Sequence, residues 1–322
     1  MKICILGSGA YGIALGSRFI KNNNQVVCYS NNIDEINSLN SSRVSDKLNN
    51  YVVPECILFS SNLEESVIDS DLIVFALPAK SISSVCELLK EYVRIDTHYL
   101  IATKGIINDG CLLISEVVKN ILNTNNVSVI SGPTFAVDIV CDAHISFSLG
   151  SKSFKTKDIV YNALKNNITK IECLTDVDGI EVCGAIKNVM AIISGILGGI
   201  GVTDSTKSFF LTEALHDIKD LIVALNGSEE TILSYAGVGD TIMTCTSKNS
   251  RNYTYGELIG KGKMKEASEY KDNTTVEGLY TLNSVKKIIA DKNINMPIID
   301  VLCDIIDERV DRLNILDFLI NK

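Results

Sequence analysis

A glycine-rich hexapeptide near the start of the chain has the spacing of a nucleotide-binding loop. Residues 7–12 read Gly-Ser-Gly-Ala-Tyr-Gly, after the apolar run 3–6 and before a helical pattern over 13–22. Between a strand and a helix, the first glycine permits a tight turn, the second lets backbone N–H groups approach a pyrophosphate, and the third allows close helix–strand packing. The pattern therefore predicts a dinucleotide site that includes Gly7, Gly9 and Gly12.

Two lysines are candidates for chemistry at an oxygen atom. Lys187 interrupts an otherwise apolar or small-residue helical segment, so we expect it to be partly buried. Burial lowers the pKa of a lysine toward the range useful for proton transfer, although a lysine can also extend to solvent. Lys104 follows the apolar run 99–102 at a strand end, where an ammonium group contacts a phosphate or hydroxyl oxygen or is simply solvated. Lys187 is the predicted proton-transfer residue.

Other polar groups suit an anionic ligand. Residues 131–136 read Ser-Gly-Pro-Thr-Phe-Ala after a strand-like run, and small residues with accessible N–H groups admit an anion, as an ordinary turn also would. Asp240 directly follows Gly239 and can accept from a substrate hydroxyl or orient a lysine. The triplet 250–252, Ser-Arg-Asn, offers a guanidinium and neutral donors to a phosphate.

Three further positions concern the nucleotide. Pro78 ends a strand-like run at the sheet edge where open α/β sheets bind ligands, or is a plain strand stop. Glu277 opens a helix, where its carboxylate meets a ribose hydroxyl or only favours the helix dipole. The predicted second strand ends in Tyr-Ser-Asn-Asn, and Asn31 is neither the acid that binds a ribose 2′-hydroxyl nor the arginine that binds a 2′-phosphate. The choice between NAD and NADP stays open.

Charge and hydropathy exclude several classes of protein. The net charge of −9 argues against non-specific binding to nucleic acid or anionic membranes, so an anionic ligand needs a local cluster of positive groups. The N-terminus lacks the zones of a signal peptide. The longest uncharged apolar stretch, 189–202, is shorter than the roughly 20 residues that span a bilayer, and it predicts a buried helix and its end.

Histidine and cysteine patterns predict no metal site. The three histidines, His98, His144 and His216, stand apart without metal-type or triad-type companions, and we expect structural roles for them. The ten cysteines are scattered singly without CxxC pairs. That pattern is typical of reduced thiols in a cytosolic protein.

Hydrophobic periodicity predicts two domains. Short apolar runs alternate with amphipathic segments in the first half, which indicates a Rossmann-like, doubly wound parallel sheet over residues 1–176. Three- and four-residue spacing dominates afterwards and indicates an all-α domain over 177–322. The predicted strands are 3–6, 26–29, 72–77, 99–102 and 127–130. The polar segment 260–273 has little periodicity and predicts an exposed loop.

In order along the chain, the blocks 7–12, 102–105, 131–136, 184–189, 239–246 with 250–252, and 276–278 resemble the signature of bacterial NAD(P)-dependent sn-glycerol-3-phosphate dehydrogenases. The resemblance covers nearly the whole chain. It implies reversible hydride transfer between a nicotinamide and C2 of glycerol 3-phosphate or dihydroxyacetone phosphate, at the start of glycerophospholipid synthesis. It also implies a cytoplasmic homodimer.

The resemblance assigns roles to particular residues, with Lys187 as proton acceptor or donor. The implied substrate ligands are Lys104, Gly132, Thr134, Lys187, Asp240, Ser250, Arg251 and Asn252. The cofactor contacts, from the motifs and the resemblance together, are Gly7, Gly9, Ala10, Tyr11, Gly12, Asn31, Pro78, Lys104, Ala136, Arg251 and Glu277. The stretch 204–206, Asp-Ser-Thr, and Met243 depart from the family pattern without removing a charged catalytic group.

Two alternatives compete with this interpretation. Another two-domain dehydrogenase, acting on a hydroxy acid or on ketopantoate, would leave the Ser-Arg-Asn triplet and the 131–136 block unexplained. A non-catalytic dinucleotide sensor would be expected to have lost Lys104, Lys187 or Asp240, and all three are present.

Overall fold

Two compact units divide the chain. The computed structural model describes residues 1–108 and 110–321. The first unit contains Met1–Thr103 and Ile114–Val177, and the second contains Lys104–Leu113 and Asp178–Lys322. The ten-residue segment Lys104–Leu113 thus belongs to the second unit although the first unit encloses it in sequence, which no sequence pattern indicated. The boundary at 176/177 itself stays a prediction.

The first unit is built on an eight-stranded sheet in the order β10-β9-β8-β7-β6-β1-β2-β5. All neighbouring strands in it are parallel except β8 and β9. The strands of this unit are β1 Lys2–Leu6, β2 Gln25–Tyr29, β3 Val44–Ser45, β4 Tyr51–Val52, β5 Ile57–Ser60, β6 Leu72–Phe75, β7 His98–Ile101, β8 Val127–Ser131, β9 Ile145–Ser151 and β10 Thr169–Leu174. β3 and β4 form a separate antiparallel pair.

The central strands are buried because their runs are apolar on both faces. Ile3, Ile5 and Leu6 of β1 are fully buried, as are Leu72 and Val74 of β6, which is expected of strands between two helical layers. The helices of this unit are α1 Ala10–Ile20, α2 Ile33–Ser42, α3 Leu63–Val67, α4 Ile82–Leu89, α5 Ile114–Leu122, α6 Ala136–Val140 and α7 Phe154–Leu164. β1 lies between β2 and β6, so the strand order reverses beside the glycine-rich turn, where such sheets bind ligands.

The second unit is helical. Its helices are α8 Val177–Ile200, α9 Asp204–Ala224, α10 Asp240–Thr246, α11 Arg251–Gly260, α12 Met264–Asn273, α13 Glu277–Lys292, α14 Ile298–Ile306 and α15 Asn314–Asn321. By length and composition α8 could cross a membrane, but its most apolar window is entirely buried inside the protein. α8 is therefore packed as a core helix.

The fold class predicted from sequence is confirmed, and the structure corrects its details. The exposed loop predicted over 260–273 is wrong, because Met264–Asn273 forms α12. Only Ala267 of that helix is buried, so apolar periodicity is weak there, while its Met, Lys, Glu and Ala residues favour helix intrinsically. The prediction also missed β5, β9 and β10. β10 carries charged residues among half-exposed ones, and β9 carries serines, so neither resembles an apolar run.

Candidate active site

The glycine-rich turn joins β1 to α1 and fits a dinucleotide. Gly7 has a φ of 124°, which favours glycine, and a Cβ there would lie 2.5 Å from the carbonyl oxygen of Ala76. A Cβ on Gly12 would overlap the carbonyl oxygen of Gly7, whereas one on Gly9 would meet nothing within 4 Å. The space at Gly9 is where a pyrophosphate can approach the N-terminus of α1.

Ser8 is a residue that the sequence interpretation missed. Its side chain is buried, and its Oγ has no hydrogen-bond partner among the described residues. A buried hydroxyl without a partner costs free energy unless a ligand or water satisfies it. Its position inside the G-x-G-x-x-G pattern is the signal that could have identified it.

The other cofactor candidates of the first unit follow parallel strands at their carboxyl ends. Asn31 follows β2 and Pro78 follows β6, and both are exposed. Ala136 begins α6, after β8. The hydroxyls of Tyr11 and Thr134 lie 3.1 Å apart, so the glycine-rich turn and the 131–136 block are joined directly. The sheet edge thus brings together residues from β1, β2, β6 and β8.

Gly132 allows a close approach of two strands' backbones. A Cβ there would overlap the carbonyl oxygen of Ser146, in β9. Thr134 is also buried, and its hydroxyl donates to the carbonyl of Gly132 over 3.3 Å. The turn after β8 is therefore held in one conformation by small residues and short-range bonds.

The residues after β2 do not decide between NAD and NADP. Asn32 caps α2, accepting from the N–H of Glu35 at 3.1 Å. The Lys47 ammonium pairs with the Glu35 carboxylate at 2.6 Å, so the cation and the acid of this region are already paired with each other.

Lys104, Lys187 and Asp240 meet in the second unit and form a charged centre there. Asp240 is fully buried at the first position of α10. Its Oδ2 accepts from the Lys104 ammonium at 2.7 Å, and its Oδ1 accepts from the Lys187 ammonium. The side chain of Lys187 is 4% exposed and that of Lys104 is 17% exposed. Lys187, in α8, is therefore buried and does not extend to solvent. We call these three side chains the Lys–Asp–Lys cluster.

Burial and mutual charge shift the ionisation of the cluster. Burial opposes ionisation of Asp240, but Lys104 and then Lys187 outweigh it and hold the pKa of the carboxyl below its ordinary value. Burial lowers the pKa of Lys187 to about 7, with a contribution from Lys104 in the same direction and opposition from Asp240. An amine with such a pKa can both accept and donate a proton near neutral pH.

Thr244 was missed by the sequence interpretation. Its hydroxyl accepts from the Lys187 ammonium at 3.0 Å and donates to the main-chain carbonyl of Asp240 at 2.6 Å. Thr244 is one helical turn after Asp240 in α10, and this i, i+4 spacing on one helix face is the signal that could have identified it. The hydroxyl directs the Lys187 ammonium within the cluster.

The Ser-Arg-Asn triplet begins α11. Ser250 caps that helix, accepting from the N–H of Tyr253 at 3.2 Å, and Arg251 is exposed. The Asn252 amide donates to Oδ1 of Asn188 at 3.0 Å and accepts from the N–H of Gly278 at 2.9 Å. Asn252 therefore ties α11 to α8 and α13. Its two partners directly follow Lys187 and Glu277 in the sequence.

Cys245, in α10, interacts electrostatically with Lys187 and Asp240, whereas His98 lies in β7. His98 is buried, and its Nδ1 lies 2.9 Å from the hydroxyl of Thr156. None of the ten cysteines forms a disulfide within the described residues. Within residues 1–108 and 110–321, no group of three or more His, Cys, Asp or Glu side chains could hold a metal ion.

Two domain models of one enzyme family match the chain. The N-terminus of NAD-dependent glycerol-3-phosphate dehydrogenase matches residues 2–156, and the C-terminus of the same enzyme matches residues 176–317. The chain belongs to the NAD-dependent glycerol-3-phosphate dehydrogenase family. The Lys–Asp–Lys cluster spans both matched regions, with Lys104 in the first and the other two residues in the second.

Individual members of the glycerol-3-phosphate dehydrogenase family resemble the chain over nearly its whole length. The enzyme of Clostridium botulinum, named for NAD(P)+, is 32% identical over 311 residues, which are 96% of this chain and 94% of the relative. That of Staphylococcus saprophyticus is 30% identical over 95% of this chain and 94% of the relative. The crystal structure of glycerol-3-phosphate dehydrogenase from Coxiella burnetii is 28% identical, has a TM-score of 0.94, and covers 99% and 98% of the two chains.

A hydroxy-acid enzyme resembles this glycerol-3-phosphate dehydrogenase family member in fold alone. The D-mandelate dehydrogenase structure with NADH has a TM-score of 0.64 and 13% identity over 96% of this chain. The family resemblance inferred from the sequence blocks is therefore confirmed, and the hydroxy-acid alternative is not favoured.

Proposed function

We propose that the protein interconverts sn-glycerol 3-phosphate and dihydroxyacetone phosphate with NAD or NADP. The observation that carries the proposal is the buried carboxylate of Asp240 between the ammonium groups of Lys104 and Lys187. The family to which the chain belongs, and the NAD(P)+ in its relatives' names, supply the substrate and the cofactor. The reaction supplies glycerol 3-phosphate for glycerophospholipid synthesis.

Lys187 is the proposed proton donor and acceptor. When bound, the reduced nicotinamide supplies a hydride to C2 of the ketone. Lys187 then gives a proton to the C2 oxygen as that oxygen gains negative charge, and the ketone becomes the alcohol. In the reverse direction neutral Lys187 takes the hydroxyl proton. Its lowered pKa suits both roles, since neither protonation state is strongly disfavoured near pH 7.

Asp240 and Thr244 hold the Lys187 nitrogen in place for this transfer. They accept two of the three hydrogens of the ammonium group, because Oδ1 and Oγ1 both bond to it. The third hydrogen is then available for the substrate oxygen. A nitrogen with a fixed direction transfers its proton more effectively than a mobile one.

Positive groups must offset the phosphate of the substrate. The chain as a whole carries −9, so attraction to a dianion depends on local charges. Lys104 and Arg251 are the proposed phosphate-side cations, with Ser250, Asn252, Gly132 and Thr134 as neutral ligands. Bonds from a cation to a phosphate gain strength as water is excluded.

The cofactor is proposed to bind at the glycine-rich turn of the first unit. Its contacts would include the N-terminus of α1 and the open space at Gly9. The Ser8 hydroxyl offers an additional donor. Glu277, which begins α13, remains a proposed ribose contact.

A dinucleotide sensor without catalysis is not favoured, because it has no use for the Lys–Asp–Lys cluster. We also propose that the protein is a cytoplasmic homodimer.

The test follows the absorbance of reduced nicotinamide with NADH and with NADPH. Each cofactor is mixed with dihydroxyacetone phosphate or with unphosphorylated dihydroxyacetone. We expect oxidation that depends on the phosphate, and the ratio of kcat/KM for the two cofactors gives the preference. Cofactor binding without turnover would contradict the proposal. Light scattering of the purified protein tests the dimer, which a monomer mass would exclude.

A further inference from the structure

The segment Lys104–Leu113 presents Lys104 to Asp240, and its described residues form only a short antiparallel pairing. One antiparallel bridge joins Ile106 to Leu113, and the N–H of Ile107 donates to the carbonyl of Leu112 at 2.9 Å. So short a hairpin is marginally stable alone. Something outside the segment must therefore hold it.

Helix α13 supplies that support through two hydroxyl groups. The Ser284 hydroxyl reaches the carbonyl of Ile106 at 3.3 Å and the side-chain oxygen of Asn108. The Tyr280 hydroxyl accepts from the N–H of Asn108 at 3.3 Å. Tyr280 and Ser284 are four residues apart, so they lie on one face of α13. All three contacts end within four residues of Lys104.

Ser284 is fully buried, as is Ile106. A buried hydroxyl costs free energy unless it forms hydrogen bonds, because desolvation of an unpaired polar group is unfavourable. The neighbouring Thr281 is equally buried, but its hydroxyl has no hydrogen-bond partner in the described part of the chain. Two buried hydroxyls on one helix thus differ in whether they hold the segment.

We infer that Ser284, assisted by Tyr280, is a positioning residue that holds the Lys104 segment on α13 so that Lys104 reaches Asp240. The catalytic part of this inference rests on the proposed function, in which Lys104 binds the substrate. Ser284 touches neither substrate nor cofactor in this role. Its effect is on the position of the Lys104 backbone, which sets how the Lys104 side chain approaches Asp240.

The inference predicts a selective kinetic effect. Ser284→Ala loses a net hydrogen-bond contribution, so we expect the KM for dihydroxyacetone phosphate to rise about three- to tenfold. The KM for the reduced nicotinamide stays near the wild-type value, because the tether does not involve the nucleotide loop. The matched control is Thr281→Val, which removes from the same helix a buried hydroxyl that has no hydrogen-bond partner among the described residues, and it leaves both constants unchanged.

A double-mutant cycle separates positioning from general stability. If Ser284 acts through Lys104, Ser284→Ala has no further effect in a Lys104→Ala background. Equal losses of kcat/KM with and without Lys104 would overturn the inference. Should Ser284→Ala not fold, Tyr280→Phe, at a half-exposed position, tests the same tether and is expected to show the same pattern with a smaller amplitude.

Hydrogen exchange tests the tether without reference to activity. We expect the Asn108 amide, and the segment around it, to exchange faster in Ser284→Ala and Tyr280→Phe than in wild type or Thr281→Val. Unchanged exchange in both variants would overturn the tether. Faster exchange in a protein that does not turn over dihydroxyacetone phosphate would support the tether and overturn the proposed function, so the two failures are distinct.

Discussion

Lys187 donates a hydrogen bond to the carboxylate of Asp240, although 53 residues separate them in the chain. Asp240 is fully buried and also holds Lys104, so one carboxylate faces two ammonium groups. Three charges in this arrangement retain one net positive charge when all are ionised. That surplus favours release of a proton from Lys187 and attracts an anionic substrate.

Replacement of Lys187 by methionine removes the proton donor while keeping an apolar side chain of similar length. We expect kcat to fall about 10²–10⁴-fold, the usual contribution of general acid–base catalysis. Cofactor binding, measured by fluorescence titration of the reduced nicotinamide, stays near the wild-type value. Lys207→Met is the control, since Lys207 is partly exposed and pairs with an exposed Asp204. Turnover close to wild type would remove Lys187 from the mechanism.

The two reaction directions have opposite pH dependence. Oxidation of the alcohol needs neutral Lys187, so its kcat rises as the pH rises through about 7 and then levels off. Reduction of the ketone needs the ammonium form, and its kcat falls over the same interval. Lys104 lowers the pKa of Lys187, so Lys104→Met moves the inflection to higher pH. Profiles of kcat in both directions check this, and an inflection that does not move contradicts it.

Replacement of Asp240 by asparagine leaves Lys104 and Lys187 without their shared counter-charge. Breaking a buried ion pair costs about 3–5 kcal/mol, and we expect about 3 kcal/mol because Lys187 can lose its proton. The melting temperature falls by roughly 6–12 °C for a loss of that size. Asp204→Asn is the matched control, because that carboxylate is 98% exposed and its ion pair contributes little. Equal melting temperatures for the two variants would contradict the role of Asp240.

Substitutions at two glycines of the nucleotide loop distinguish an effect on stability from an effect on cofactor binding. Gly9→Ala places a Cβ where nothing lies within 4 Å, so the melting temperature stays near wild type while cofactor affinity falls. Gly12→Ala drives a Cβ into the carbonyl of Gly7, so stability and affinity both fall. Thermal melting and cofactor titration of both variants test this. Unchanged affinity in Gly9→Ala would move the pyrophosphate away from Gly9.

The sheet and the helical unit were predictable from sequence because their signals are local. Apolar runs flanked by turn residues indicated β1, β2, β6, β7 and β8, and three- and four-residue spacing indicated the long helices. β10 and α12 escaped the same criteria. An edge strand that is half exposed and a helix with one buried residue lack apolar periodicity, and their neighbours determine their conformation.

The sequence alone determined the glycine geometry of the nucleotide turn and the set of charged residues, since turn chemistry and residue type are properties of short segments. Only the tertiary structure decided that Lys104 and Asp240, 136 residues apart, would meet and that Lys187 would be enclosed beside them. It also assigned the Lys104 segment to the helical unit, on α13. Burial and electrostatic interaction depend on neighbours that are distant in sequence, so the lowered pKa of Lys187 could not follow from any single motif.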